Sequence, residues 1–593
     1  MEFEDVIEEL GGFGKFQKFL LWGFLLPSEI LFSLISMNMI FLLSEPRHEC
    51  VVPQLDALGL NESRVSEIRQ LLVSEDECEV SPMRPLNSTR FAGEFDVTLW
   101  NASWFVNESA TRHPCESFRY DDLYYDETVP TKWDLVCSRG QLISLLYSIT
   151  TVGSIVGTLI IGALADKYGR KPLFFALVSL AIFSGFGTVL SFNYAMLVVM
   201  RFVNALLDPQ MDQLPYLINN SDASFSNCTF YSSGTFYFPG TVFELVGAKQ
   251  RTLLLGVTSM GWTLGMCLLP LVAYLSRTWV LLATVCASCA VPIFCYICVV
   301  PESPRWLLSQ DRLSEASAVL RRIALRNGVE PPIDLDLKLK EVQQSTNAEE
   351  ESEESGSMLD LVRKPMIRKN LLILSLIWSA NGCAYGGLHI NVTHLSGNEF
   401  LNFFYLALVE FPANAIGWWS MDRFGRRWTN VFFMLLTATA CWAPVIAPMS
   451  GTVAIVASVM AKFSTTAAYM MMYQQLDELF PTPLRSFSVG VLTALTAVFT
   501  AGVPYVVYMG RYGSWIPFLF LALLTTMAGI AAAWLPETKD YPLCQTVEDA
   551  DRFGHDQKFF SFNRAEESSK RSRHVEENDQ KTTVELQPLH TET

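Results

Sequence analysis

Apolar residues arrive in runs of about 20, the length that crosses a bilayer as an α-helix, and polar residues collect in the stretches between them. The pattern predicts spans at 17–43, 142–164, 173–191, 194–207 continuing at 232–246, 252–275, 278–300, 371–390, 400–421, 429–448, 452–475, 486–509 and 515–535. Six precede the charged stretch 301–370 and six follow it. The expected fold is therefore all-α and integral to a membrane, with about twelve helices in two halves, 17–300 and 371–535. A short N-terminus, 1–16, and a tail, 536–593, flank them. The opening MEFEDVIEEL is acidic, whereas a cleavable signal peptide begins with basic residues, so the first run is expected to persist as a span. Within 301–370, the segment SEASAVLRRIALR has a helical pattern and an acidic run follows it.

Positive charge in short loops orients such a chain. Lys167, Arg170 and Lys171 join spans 2 and 3, Lys249 and Arg251 follow span 4, Arg423, Arg426 and Arg427 join spans 8 and 9, and Arg485 follows span 10. All fall on one side, with the linker 301–370 and both termini, which predicts that these are cytosolic and that the loop 44–140 lies outside. That loop carries Asn-x-Ser/Thr acceptors at Asn61, Asn87, Asn101 and Asn107. It also holds Cys50, Cys78, Cys115 and Cys137, enough for two disulfides in an oxidising compartment, with the pairing left open. Cys286, Cys289, Cys295 and Cys298 in span 6 lack an accompanying His or carboxylate and read as small apolar residues rather than metal ligands.

Composition adds a constraint. Half of the chain is hydrophobic and 17% is charged, low for a soluble protein. The net charge of −17 is concentrated in the first loop, in the run 349–354 and in the tail. Solvated loops of this kind argue against a nucleic-acid partner. There is no glycine-rich phosphate loop and no nucleophile–base constellation, so neither an enzyme nor a cofactor is expected.

The chain repeats itself. Asp166-x-x-Gly169-Arg170 recurs as Asp422-x-x-Gly425-Arg426 after the second span of each half. Glu244 and Arg251, seven apart, recur as Glu478 and Arg485, and Pro301-Glu-Ser recurs as Pro536-Glu-Thr. Duplicated halves predict a substrate site between them, exposed alternately to each side. The glycines allow tight turns, and the flanking charges are expected to pair at the cytosolic face as a gate; anchoring of loops is the plainer alternative.

These landmarks resemble the major facilitator superfamily. Thr131-Lys-Trp-Asp-Leu-Val-Cys137, Pro301-Glu-Ser-Pro-Arg-Trp-Leu307, Leu401-Asn-Phe-Phe404, Val409-Glu-Phe-Pro412, Glu478-Leu-Phe-Pro-Thr482 and Leu535-Pro-Glu-Thr-Lys539 resemble its organic ion transporters, which carry organic cations, carnitine or organic anions. The resemblance covers roughly residues 10–550 and implies no prosthetic group.

One segment departs from it. Asp166 to Glu244 spans 78 residues, whereas Asp422 to Glu478 spans 56. The excess lies at 208–231, a polar, proline-containing insertion in span 4. It reads as an alternative exon or unspliced intron, as an extruded loop, or as a recognition element. Its Asn219 and Asn227 add acceptor sites.

Ionisable groups inside spans are candidates for function. Glu29 in span 1 reads as a cation or proton site or as a structural hydrogen-bonding group. Lys462 in span 10 is similar to a lysine of carnitine-like and anion-like members, suited to a carboxylate, with Glu410 in span 8 as its candidate partner. Span 11, where the resemblance leads one to expect an acid or an arginine, has Ala497. Tyr147, Trp262, Trp378, Tyr385 and Tyr473 are candidates to line a cavity, since aromatic faces hold ammonium groups. The expected function is plasma-membrane transport of a small organic ion by alternating access. A cation or a carnitine-like zwitterion is favoured over an anion or an inactive carrier. Na+ or H+ is the candidate coupling ion. The terminal His-Thr-Glu-Thr only weakly resembles a scaffold-binding tail, because PDZ domains prefer an apolar last residue.

Overall fold

The computed structural model describes residues 3–56, 61–74, 77–83, 111–207, 245, 248–352, 360–447, 450–539, 541, 544, 546–555 and 557. Among the described residues, ten helical segments are long and apolar enough to cross a membrane, and two shorter apolar helices stand where spans 4 and 12 are expected. In order they are Lys15–Leu42, Gln141–Tyr168, Arg170–Val189, Tyr194–Ala205, Ala248–Ser276, Trp279–Tyr296, Pro365–Asn391, Glu399–Phe424, Arg426–Ile446, Gly451–Leu479, Thr482–Tyr508 and Ile516–Ala532, numbered here as spans 1 to 12. The insertion 208–231 lies outside the described residues, as does the expected continuation of span 4 at 232–246 apart from Leu245.

Proline shapes two spans. In span 1, Pro27 cannot donate to the carbonyl four residues back, that of Gly23, and its ring crowds it. A π-helical stretch, Leu20–Leu25, precedes it, and the hydroxyl of Tyr296 in span 6 donates to the Gly23 carbonyl at 2.5 Å. In span 8, Pro412 likewise leaves the Leu408 carbonyl without its helical donor, and the helix breaks at Val409 into Glu399–Leu408 and Glu410–Phe424. Glu410 thus opens a helix, where a carboxylate faces favourable amide dipoles.

Small residues set the closest helix approaches. A Cβ on Gly265 of span 5 would lie 1.7 Å from Ser33 Oγ and 2.5 Å from the Ile30 carbonyl oxygen of span 1. Gly153 and Gly157 of span 2 meet span 4 in the same way, at the Phe202 and Leu206 carbonyls.

The turns between spans 2 and 3 and between spans 8 and 9 are matched devices. Gly169 and Gly425 have φ of +93° and +90°, which glycine adopts freely. Each releases a helix whose first amides find a carboxylate from the end of the same half. Glu302 accepts from Arg170 N and Lys171 N, and Glu537 from Arg426 N and Arg427 N. The repeated Pro-Glu dipeptides are therefore helix caps.

At the end bearing residues 44–140, the two halves share one apolar cluster that includes Phe41, Trp262, Trp279, Phe400, Phe403 and Phe518. At the end bearing the linker the cores are separate. One joins the first half to the N-terminal segment and the linker helices Leu313–Asn327 and Leu335–Ser352, and the other belongs to the second half and the helix Val547–Arg552. The loop end is closed. In the loop, His48–Cys50 pairs antiparallel with Phe118–Tyr120, and Glu79–Val80 with His113–Pro114. Cys50 lies against Cys115 and Cys78 against Cys137, with Cα separations of 5.8 and 5.4 Å, which suit two disulfides. Asn61 is exposed just ahead of the helix Glu62–Leu72; Asn87, Asn101 and Asn107 lie outside the described residues.

Candidate substrate site between the two halves

Glu410 and Lys462 are both buried, and Lys462 is the only lysine among the described residues that is fully so. Lys462 Nζ stands 2.6 Å from Glu410 Oε1. The break in span 8 aims Glu410 at three neighbours. Tyr385 Oη of span 7 donates to Oε1 at 2.9 Å, and Thr263 Oγ1 of span 5 donates to Oε2 at 3.1 Å. Thr263 belongs to the first half, so the carboxylate ties the halves together midway along spans 5 and 8. Lys462 Nζ also lies 3.0 Å from the centre of the Tyr385 ring. The ammonium is thus held by a carboxylate and an aromatic face, the two groups that recognise organic cations.

Rings continue from this point along spans 7 and 10. Tyr385 meets His389 at 4.7 Å and Tyr469 at 5.4 Å, and Tyr473 meets Trp378 at 4.7 Å. His389 is buried between the rings of Tyr385 and Phe403, the latter at 5.7 Å. Residues 378, 385 and 389 have the same spacing, seven then four, as 462, 469 and 473. That spacing keeps one helix face and is the signal by which His389 and Tyr469 are recoverable from sequence. Thr263 carries no such signal.

The remaining candidates have other neighbours. Glu29 is buried at the seam of spans 1 and 5, its Cβ 2.8 Å from where a side chain on Gly261 would begin. Tyr147 donates to the Met39 carbonyl at 3.4 Å, and Trp262 is buried in the loop-end cluster with its Nε1 unbonded. Of the gate residues, Arg426 and Glu478 pair at 3.0 Å, Gln474 supports Glu478, and Arg485 is buried next to the Phe480 carbonyl. Asp422 is exposed, and its carbonyl accepts from Lys539 Nζ at 2.6 Å. In the first half, Glu244 and the side chains of Asp166 and Arg251 lie outside what the structure describes, leaving Gly169 and Arg170.

Residues 96–207 and 233–549 match the family described as sugar (and other) transporter. The chain belongs to this transporter family. It is a multi-pass membrane transporter of the major facilitator superfamily, similar to its organic ion carriers, and not an enzyme. It is 28% identical over 568 residues to the beta-alanine transporter of Drosophila melanogaster, covering 93% of this chain and 89% of that one. It is 28% identical over 561 residues to the organic cation/carnitine transporter 2 of Homo sapiens, covering 92% and 93%. The partially occluded inward-open xylose transporter XylE from E. coli superposes with a TM-score of 0.52 at 15% identity, over 71% of this chain and 93% of that one. The family match omits 208–232, the segment that the internal repeat marks as surplus.

In this transporter the loop end is latched by polar contacts between halves. Ser144 donates to the Pro504 carbonyl, Ser148 to the Ala501 carbonyl and Ser44 to Glu399. Arg511 of the second half donates to the Cys137 carbonyl at 2.9 Å and lies near Glu45. Burial raises the Glu45 carboxyl to about 7, against the opposing pull of Arg511.

Proposed function

We propose that the carrier moves small organic cations and zwitterions across the plasma membrane, with Glu410 taking the substrate's ammonium and Lys462 a carboxylate when one is present. The observation that carries this reading is the buried 2.6 Å pair beneath the Tyr385 ring, tied to the first half through Thr263. A zwitterion replaces the pair by two matched pairs, and a quaternary ammonium suits the rings of Tyr385 and Tyr469. The names of the relatives support the same chemistry: beta-alanine and carnitine each carry an ammonium and a carboxylate. In this reading the linker end is cytosolic, together with both termini, and the loop end faces outside, braced by the two cysteine pairs and glycosylated at Asn61. The pairs Arg426–Glu478 and the caps at Glu302 and Glu537 then gate the cytosolic face, and the shared loop-end cluster makes the described state closed to the outside.

Uptake of labelled carnitine, tetraethylammonium and a small aromatic anion into proteoliposomes tests the proposal, with and without residues 208–231. Carnitine and tetraethylammonium are expected to enter and the anion to be excluded. Glu410→Gln is expected to lower uptake by at least about tenfold, the equivalent of 1.4 kcal/mol of lost binding. Undiminished carnitine uptake by Glu410→Gln removes the basis of the site.

A further inference from the structure

Span 6 changes character near its linker end. Its α-helix, Trp279–Cys289, starts at the loop end, where Trp279 N and Nε1 both donate to Glu127. It then tightens into a 3-10 stretch, Val291–Tyr296, and the same bonding between residues three apart continues from Ile297 N to the Phe294 carbonyl and from Val299 N to the Tyr296 carbonyl. With three residues per turn, such residues eclipse one another on one face. Ile293 is buried, Phe294 meets Phe175 of span 3 at 5.9 Å, and Tyr296 meets Phe24 of span 1 at 4.6 Å. Cys295 and Cys298 stand three apart, and both are exposed. The other free cysteines among the described residues are buried or half-buried. Free cysteine is among the most buried residue types, so two exposed on one face call for a reason.

Their depth supplies one. From Trp279 to Tyr296 the α-helical and 3-10 residues together rise about 30 Å, the thickness of a bilayer's hydrocarbon, so the two thiols stand at its linker-end boundary. Span 1 marks the same level. The Tyr296 hydroxyl reaches the Gly23 carbonyl, next to exposed Trp22 and about 7 Å along the helix from exposed Lys18. Tryptophan and lysine gather at membrane interfaces. We propose that Cys295 and Cys298 are S-acylated with long-chain fatty acids from the cytosolic side of the membrane. The inference rests on the orientation proposed above, with the linker end cytosolic, and adds a covalent modification. In each transfer the sulfur of a deprotonated thiol attacks the carbonyl carbon of a fatty acyl–coenzyme A thioester. A new S–C bond forms, the bond from that carbon to the coenzyme's sulfur breaks, and the coenzyme leaves as a thiol that takes up the proton. Nothing is oxidised or reduced. Juxtamembrane cysteines are acceptors of this modification.

The setting suits both reactants and product. Exposed Lys15 and Lys18 at the start of span 1 attract the phosphates of the coenzyme and the anionic head groups around it. A chain joined to either sulfur enters the hydrocarbon beside exposed Val291 and Ile297. The four cysteines of span 6 do not act as a set: Cys286 is buried and Cys289 half-buried, both nearer the bilayer centre than the outward pair. Cys544 is on the linker-end side too, but it is buried against the second half. Cys298 stands four residues before Glu302, the carboxylate that caps Arg170 N and Lys171 N, so the acyl chains would fasten the backbone just ahead of that cap to the lipid.

The test uses the full-length carrier expressed in cultured animal cells fed an alkynyl palmitate. The wild type is expected to take up label that hydroxylamine releases, and replacing its thioesters with a polyethylene-glycol maleimide is expected to add one mass step for each acylated cysteine. Replacing Cys295 and Cys298 together by serine is expected to lower the label at least about tenfold, each alone to lower it by about half, and Cys289→Ser to leave it unchanged. Mass spectrometry of the wild type locates the chains if the double variant fails to fold. A wild type without hydroxylamine-sensitive label, or label that persists in the double variant, overturns the proposal. A membrane-impermeant maleimide separates the causes. Reaction at Cys295 and Cys298 only after the cells are permeabilised leaves the orientation standing and removes the acylation alone, whereas reaction in intact cells overturns both.

Discussion

Replacing Glu410 by glutamine strands the ammonium of Lys462, whose side chain has 0% exposure. Removing one partner of a buried pair typically destabilises a protein by about 3–5 kcal/mol. The lysine's own proton caps that figure. An ordinary lysine titrates about 3.4 units above pH 7, and each unit is worth about 1.4 kcal/mol, so the stranded charge cannot cost more than about 4.6 kcal/mol before the proton leaves. Lys462→Met is milder, about 1.5–3 kcal/mol, because the carboxylate keeps the hydroxyls of Tyr385 and Thr263. The double variant strands neither charge and is expected to be at least about 2 kcal/mol more stable than the sum of the single losses implies. Unfolding of the four purified proteins in one detergent measures the cycle. Repeating it at pH 9 lowers the ceiling to about 2 kcal/mol, so the Glu410→Gln deficit shrinks as pH rises. Strictly additive losses, or a Glu410→Gln deficit that ignores pH, refute the reasoning.

Three other perturbations address other parts of the molecule. Glu45 titrates near about 7 in the closed loop end and lower when solvated, so the closed state binds protons more tightly. Closure is therefore expected to strengthen as pH falls from about 7 toward 4.5, read as falling reactivity of a loop-end cysteine probe, and Glu45→Gln should flatten that profile. Gly265→Val is expected to abolish assembly of spans 1 and 5, because its Cβ overlaps Ser33 Oγ, whereas Gly386→Ala, with nothing within 4 Å, leaves expression and melting unchanged or slightly improved. Glu537→Ala strips the cap from Arg426 N and Arg427 N and is expected to cost about 1–2 kcal/mol and to raise protease sensitivity of the turn before span 9.

The order of the spans was legible because a membrane enforces it: uncharged runs of helical length have few other uses. Lys462 and Glu410 stood out for the same reason, as charges where charge is costly. The matched turns were legible as a repeat, but the caps were not, since a glutamate more than 100 residues from the amides it accepts leaves no local trace. Periodicity alone also hid the π-helical stretch in span 1 and the break at Val409, although Pro27 and Pro412 explain both. Glu29 drew attention as an intramembrane acid, and it is buried at the glycine seam of spans 1 and 5. The sequence did not single out the short helix Val547–Arg552 in the tail, which packs on span 7 with Asp551 accepting from Met366 N.

The loop-end seal has a thermal consequence. Phe41, Phe400 and Phe403 come from both halves and meet ring to ring, with Tyr124, Tyr125 and Tyr274 around Phe400. Parting them brings water against apolar surface, a change marked by a positive heat capacity. The preference for facing one way rather than the other is thus curved in temperature, and cooling loosens the rings before it loosens the ion pairs beneath them.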